Sequence, residues 1–352
     1  MLEYIIAFLM AMGISYFLTP YVLKFAYKVG AIDVPKDNRR VHTKPMPKLG
    51  GLAIFLGVFI TTFVFNRIDK LVMDWQMIWV FLGAVVIVIT GVFDDIKPLK
   101  ARSKYLFQVI AALIVYFGGV KITGVGNPFG DGMIELGWLS LPITVFWITG
   151  ITNTINFIDG LDGLSVGVCG IASLSLFFIA SSFVNVSPVY LVVMMMSVIL
   201  SGACFGFLPH NFNPAKIFAG DTGALFMGFM LSIISIRGAL KGPTIMWMIF
   251  PVLVLGFPIY DTAFAIYRRL LKKQPISQAD KGHIHHRLLN LGLNQRQAVL
   301  FLYFITMILG LMGVWMSEQS FLENIAIMCG FAFLVIFSFL RYAKLGKHKK
   351  ER

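Results

Sequence analysis

Charge is scarce in this chain. Only 13% of its 352 residues are Asp, Glu, Lys or Arg and 58% are hydrophobic, where a soluble domain carries about 25% charged residues. With a mean hydropathy of +0.81, so apolar a surface excludes a protein dispersed in cytosol and places the chain in a bilayer. Cysteine is nearly absent too. Cys169, Cys204 and Cys329 each stand inside an apolar run with no Cys-x-x-Cys pair, which argues against disulfides and zinc and leaves small packing residues. The N-terminus lacks the basic start of a signal peptide. It carries Glu3 and an apolar stretch of full spanning length, so it reads as a first transmembrane helix. The GxxxxGK[ST] phosphate loop is missing, as is any internal repeat of the kind that marks many transporters.

What is there is apolar sequence in long runs. At about 20 residues per crossing, fewer where sheltered, eleven spans are expected: Leu2–Leu23, Leu49–Phe65, Trp75–Phe93, Tyr105–Val120, Trp138–Ile155, Leu164–Phe183, Val189–Leu208, Thr222–Ile236, Thr244–Tyr267, Ala298–Met316 and Ile325–Phe339. The fold class is therefore an all-α integral membrane protein, with residues 1–352 forming a single polytopic domain. Lysine and arginine set its orientation. With the N-terminus outside, 25 of the 30 fall on inner loops (about 24–48, 94–104, 156–163, 209–221 and 268–297) or on the tail 341–352, leaving Arg67, Lys70, Lys121, Arg237 and Lys241 outside. The expected topology is N-outside and C-inside. The net charge of +13 then faces anionic inner-leaflet lipid, and nucleic acid is excluded as a partner.

The 17 acidic residues carry the chemical information, because several gather at inner membrane boundaries. Asp94 and Asp95 close the third span, where the helix macrodipole disfavours a carboxylate; Lys97 and Lys100, or a bound cation, are expected to offset them. In ITNTINFIDGLDGLSVG, Asn153, Asn156, Asp159 and Asp162 recur every third residue along a slowly drifting helical face. Polar groups there need protein, water or a ligand to face. A ladder of interhelical hydrogen bonds accounts for the asparagines better than for the aspartates, since no Lys or Arg lies in that loop. Asp221, between Gly220 and Gly223 at a helix start, either caps that helix or offers a hard oxygen ligand to a metal-bound diphosphate. ADKGHIHHRLLNLG places His283 and His286 on one face if Asp280 caps a short helix. Its cations suit phosphate oxygens, with zinc weaker for want of partners at ligand spacing and an exposed loop as the plain alternative. Asp261, inside the ninth span, needs a partner and is either catalytic or structural, holding a neighbouring helix or a loop lysine.

Carboxylates and amides at one face suit magnesium, and the nearby cations suit an anion. Together they describe a diphosphate site for phosphoryl-type transfer. The motifs Asp94-Asp95, NxxNxxDGxDGL at Asn153–Leu164, PAKIFAGDTG ending at Gly223, and HIHHRL at His283–Leu288 resemble those of the polyprenyl-phosphate N-acetylhexosamine-1-phosphate transferases, over essentially the whole chain. Within that family the chain looks most like the Gram-positive enzymes that begin wall teichoic acid linkage-unit synthesis and the related enterobacterial-antigen and O-antigen initiators. The muramoyl-pentapeptide branch usually shows a triple-His loop and TPTMGG, where this chain reads HIHH and MPKLGG.

The resemblance implies a UDP-N-acetylglucosamine donor, an undecaprenyl phosphate acceptor reached from membrane lipid, release of UMP, and a multi-pass protein of the bacterial plasma membrane, with a homodimer as a further expectation. It implies Mg2+, with Mn2+ as substitute, held by Asp221 with Asn156 nearby. Asp94 becomes the candidate base, with Asp95 orienting it or the metal, and Asp159 supports the site. Asp162 would contact the uracil, and His283, His285, His286 and Arg287 would hold the sugar-diphosphate. Asn153, Lys48 at the end of the RRVHTKPMPKLGG loop, and Lys216 are taken as further substrate contacts. Another UDP-N-acetylhexosamine, including the muramoyl-pentapeptide, remains the alternative donor. A transporter or lipid flippase is the rival class, and predicts acids near mid-span.

Overall fold

A continuous apolar run in hydrocarbon must satisfy its backbone internally, and a helix does so. The computed structural model describes residues 1–35, 45–69, 74–126, 133–239, 246–271, 282–318 and 330. Its helices in chain order are α1 (Leu2–Val29), α2 (Gly51–Asp69), α3 (Trp75–Ile96), α4 (Ala101–Phe117), α5 (Ser140–Ile158), α6 (Leu164–Ser181), α7 (Val189–Asn211), α8 (Gly220–Ala239), α9 (Met246–Val254), α10 (Gly256–Leu271), α11 (Ile284–Asn290) and α12 (Gln295–Ser317). Two antiparallel ribbons stand in the connections, β1 (Ile32–Asp33) on β2 (Met46–Pro47) and β3 (Gly124–Gly126) on β4 (Met133–Glu135). The helical membrane body is as expected. The ribbons were not, because strands of two or three residues are too short to show a period.

Among the described residues, six helices are long and apolar enough to cross a membrane: Leu2–Val29, Trp75–Ile96, Gly137–Ile158, Leu164–Ser181, Val189–Asn211 and Gln295–Ser317. The chain is a multi-pass helical membrane protein. The ninth expected span is broken between α9 and α10. Pro258 has no N–H to offer the carbonyl of Val254 four residues earlier, which interrupts the helical ladder there. The eleventh, 325–339, lies outside the described residues except for residue 330, and Cys329 lies outside them too; Cys169 and Cys204 are buried free thiols.

Without a hydrophobic drive between helices in lipid, close backbone approach must hold them together. α1 presents the small buried stripe Ala7, Ala11 and Ser15. Facing it on α7, a Cβ on Gly202 would stand 2.3 Å from the carbonyl oxygen of Phe8, and one on Gly206 2.1 Å from that of Met12. Only glycine fits at either position. α3 and α8 run antiparallel and are tied at both ends. At the far end Arg237, 1% exposed, pairs with Asp74, which also caps α3 by accepting from Met77 N at 3.0 Å. At the near end Asp95 of α3 meets the first turn of α8.

Candidate active site

The near ends of these helices carry the acids. Asp95 accepts from the backbone N–H of Asp221 and of Thr222, both at 3.0 Å, and from the Thr222 hydroxyl at 2.7 Å. It lies at the unfavourable end of its own helix dipole but at the favourable N-terminus of α8, whose first-turn donors it satisfies. Asp95 therefore takes the capping role considered for Asp221, and the Asp221 side chain is left for other partners. It accepts from Lys104 Nζ at 2.7 Å and from the Asn156 amide. Asp94 accepts from Leu99 N at 2.7 Å and from Lys104 Nζ at 3.2 Å. The cation that offsets the acid pair is thus Lys104 of α4, not Lys97 or Lys100.

The Asn153–Leu164 stretch divides its residues between two jobs. Asn153 donates to Gln108 Oε1 at 2.6 Å and to the Thr149 carbonyl at 2.8 Å, joining α5 to α4. It forms an interhelical link and is not among the residues that line the cleft described below. Asn156, one turn on, does line it. Asp159 accepts from the Ser165 hydroxyl at 2.5 Å. Burial pushes its carboxyl up to about 7 against that hydrogen bond, with the charges of Asp221 and Asp162 adding to the rise. Asp162 accepts from Asn213 Nδ2 at 2.9 Å and Ala215 N at 3.1 Å. Asn211 accepts from Gly163 N at 3.1 Å and donates to the Ile217 carbonyl at 2.9 Å. These bonds stitch the 159–163 loop to the 211–217 segment.

Residues 47–51 run beside the entry to α8, with Phe218 N donating to the Pro47 carbonyl at 2.9 Å and Gly51 N to that of Ala219 at 2.9 Å. This sets Lys48 on the cleft wall, 3.7 Å from Asp33. The cleft has a volume of about 350 Å³ and is lined by Asp33, Lys48, Asp95, Asn156, the Asp159–Asp162 loop, Asn211, the Phe218–Asp221 segment and His286. Five connections far apart in sequence meet there.

The three histidines and the arginine of HIHHR separate. His286 lines the cleft. His283 turns to Asp261, Nδ1 to Oδ2 at 2.8 Å. His285 is buried against the 159–163 loop: a Cβ on Gly160 would lie 2.5 Å from its Nε2. Burial, then the neighbouring His286 charge, pushes the His285 ring down to about 3. Arg287 lies over the Phe264 ring at 5.1 Å. Of the four, His286 lies on the cleft wall, and the other three are turned to Asp261, Gly160 and Phe264. Lys216 is exposed and outside the lining, so it too is placed apart from the cleft. Asp280 lies outside the described residues; the side chain that caps α11 is Asp261, accepting from Ile284 N at 2.8 Å.

Sequence reasoning passed over Lys104, Gln108, Asp33 and Asn211. For the first two a signal was present: Lys104 and Gln108 stand four apart, on one face of α4, and Gln108 is the lone polar residue in an otherwise apolar stretch.

Hard-oxygen donors fit magnesium in a particular way. Among the described residues no three His, Cys, Asp or Glu side chains are grouped to hold an ion by themselves. Asp221 and the Asn156 amide supply a carboxylate and a carbonyl at the cleft, which matches an ion that keeps water and substrate phosphates in its shell.

Fold and site define a multi-pass membrane protein with an acid- and histidine-lined cleft at one end of its helices. Residues 77–239 match the model for glycosyl transferase family 4. A probable undecaprenyl-phosphate N-acetylglucosaminyl 1-phosphate transferase of Bacillus subtilis (strain 168) is 40% identical over 322 residues, 91% of this chain and 87% of that protein. A decaprenyl-phosphate N-acetylglucosaminephosphotransferase of Mycobacterium tuberculosis (strain ATCC 25618 / H37Rv) is 35% identical, covering 82% of this chain and 76% of that protein. A phospho-N-acetylmuramoyl-pentapeptide-transferase of Staphylococcus aureus (strain JH9) is 27% identical over 88% of this chain and 98% of that protein. The chain belongs to glycosyl transferase family 4.

Proposed function

We propose that the protein transfers N-acetylglucosamine 1-phosphate from UDP-N-acetylglucosamine to undecaprenyl phosphate, giving undecaprenyl-diphospho-N-acetylglucosamine and UMP, as the first step of wall teichoic acid or a related surface polymer. The observation that carries this reading is the convergence of Asn156, Asp159, Asp162, Asp221, Lys48 and His286 on one cleft at a helix end. A transporter with a mid-span acid site would not place them so. The B. subtilis relative, at 40% identity, supports the donor and acceptor.

In the reaction an acceptor phosphate oxygen bonds to the phosphorus that carries the sugar, and the bond from that phosphorus to the UMP oxygen breaks. Positioning and charge neutralisation carry such a step. The second pKa of a phosphate monoester is near 6, so the acceptor arrives largely dianionic and needs little help from a base. With both its oxygens engaged by Leu99 N and Lys104, Asp94 serves better to orient Lys104 than to take a proton. Asp221 and Asn156 would hold Mg2+, or Mn2+ in its place, which when bound supplies charge neutralisation to the diphosphate. On the cleft wall, His286 and Lys48 would bond donor oxygens, Asp162 would meet the base, and Asp159 would support the loop between them.

The lysine and arginine distribution supports eleven crossings with the N-terminus outside and the cleft at the cytoplasmic face of a bacterial plasma membrane. The acceptor would enter from the bilayer. A homodimer remains part of the proposal without a specific interface. The family test is transfer of labelled sugar phosphate into extractable lipid, with UDP-N-acetylglucosamine and UDP-N-acetylmuramoyl-pentapeptide offered separately. Label from the first donor alone is expected; label from the second alone would reassign the donor.

A further inference from the structure

We infer that Asp261 is a positioning residue for the cleft, holding α11 so that His286 faces the donor; the inference rests on the proposed function. Asp261 is fully buried in α10. Its two oxygens are divided between the His283 ring and the Ile284 backbone, each at 2.8 Å. α11 has only seven residues and its N-cap residue His283 makes no side-chain cap of its own. So short a helix is marginal alone, and the buried carboxylate of another helix supplies the acceptor its first turn lacks.

A second contact on the same face of α10 completes the attachment. Phe264, three residues beyond Asp261, carries the Arg287 guanidinium over its ring at 5.1 Å. α11 is thus held by α10 at its first residue and again at its middle. His285, stacked with His283 at a ring separation of 5.6 Å, presses on Gly160 of the cleft loop, and His286 is left to the cleft. A group in the membrane body thereby sets the position of two elements of the cleft wall.

The test is a double-mutant cycle on the full-length protein in detergent, using Asp261→Asn, His286→Ala and both together, with kcat/KM for UDP-N-acetylglucosamine and the thermal unfolding midpoint read for each. Loss of a supporting partner of this kind costs about ten- to a hundredfold. Asp261→Asn is expected to lose that much kcat/KM, and the double variant no more than the worse single one. Fold losses that multiply would show that Asp261 acts independently of His286 and overturn the inference. Should Asp261→Asn fail to fold, Ile284→Pro removes the backbone donor, and Ile284→Ala, which keeps that donor, accounts for the lost isoleucine side chain. Proline is accepted at a first helical position, and His283 already has the extended ψ of 152° that a following proline favours. Ile284→Pro is expected to lower kcat/KM about tenfold, and an unchanged value would overturn the inference. Wild-type inactivity with every UDP-sugar sinks the functional reading and this inference with it, whereas wild-type turnover with multiplying losses sinks this inference alone.

Discussion

Lys104 Nζ sits between two carboxylates, 2.7 Å from Oδ2 of Asp221 and 3.2 Å from Oδ2 of Asp94. The three side chains come from α8, α4 and α3, so one ammonium joins the helices whose ends build the cleft. Removing one partner of a buried ion pair costs about 3–5 kcal/mol, and partial exposure of this one lowers the expectation to about 2–3 kcal/mol. Lys104→Met is expected to lower the thermal midpoint in chelator, and millimolar magnesium is expected to recover more of the loss than it adds to the wild type. Recovery of nothing would mean that the two carboxylates are not a cation site.

The opposite end of the same helix pair gives a control. Arg237 is 1% exposed at its side chain and Asp74 43%. Asp74→Ala leaves a buried guanidinium without that carboxylate. About 2–3 kcal/mol of destabilisation is expected, less than for a fully buried pair because Asp74 is half in solvent. Turnover per folded molecule should hold, since the break is at the end remote from the cleft. A fall in turnover at full folding, read by size exclusion and activity together, would count against that separation.

His285 provides a pH dependence. Its ring is pushed from an ordinary 6.5 down to about 3 by burial, so the unfolded chain binds its proton more tightly than the folded one. The stability it contributes is whole above pH 6.5 and is lost as pH falls toward 3. At pH 5 the loss amounts to about 2 kcal/mol. Asp159, raised to about 7, titrates in the opposite sense and is common to both proteins, so between pH 7.5 and pH 5 in denaturant the wild type should lose about 2 kcal/mol more stability than His285→Gln. Equal slopes would place the pH sensitivity elsewhere.

Gly160 tests the contact between the two cleft elements. A Cβ there would come within 2.5 Å of His285 Nε2, so Gly160→Ala must shift either the loop or the ring. A displacement near 1 Å can cost up to about a hundredfold in rate. At least a tenfold fall in kcat/KM is expected, with little change in thermal midpoint. Unchanged kinetics would mean that loop and ring can part without consequence.

Much of this was legible in the residue order, and the reasons for what was not are physical. Span positions follow from composition, and among the described residues six of them stand as helices long and apolar enough to cross. The break at Leu255 needed attention to Pro258 within a run that composition alone reads as continuous. Asp159 and Asp162 stood out because acids are few and their loop lacks a cation, and Asp221 because glycines flank it at a helix start. Lys104 was hidden for the opposite reason: it stands among Lys97, Lys100 and Arg102, and a cation in a basic loop looks like topology. Asn153 and Asn156 differ by three residues, yet one faces Gln108 and the other Asp221. A repeat of three drifts around a helix of 3.6 residues per turn, and only the packing of α4 and α8 decides where each lands. The partner of Asp261 was a histidine 22 residues on, a pairing no periodicity encodes.

The most direct measurement of the central claim is UMP release by the detergent-purified protein given UDP-N-acetylglucosamine, undecaprenyl phosphate and magnesium, run beside Asp221→Asn and beside a chelator control. Release that needs acceptor and metal and falls at least about a hundredfold in Asp221→Asn is the expected result. Release that persists in the variant or in chelator would contradict the role given to Asp221, and silence from folded wild-type protein with every UDP-sugar would contradict the transferase itself.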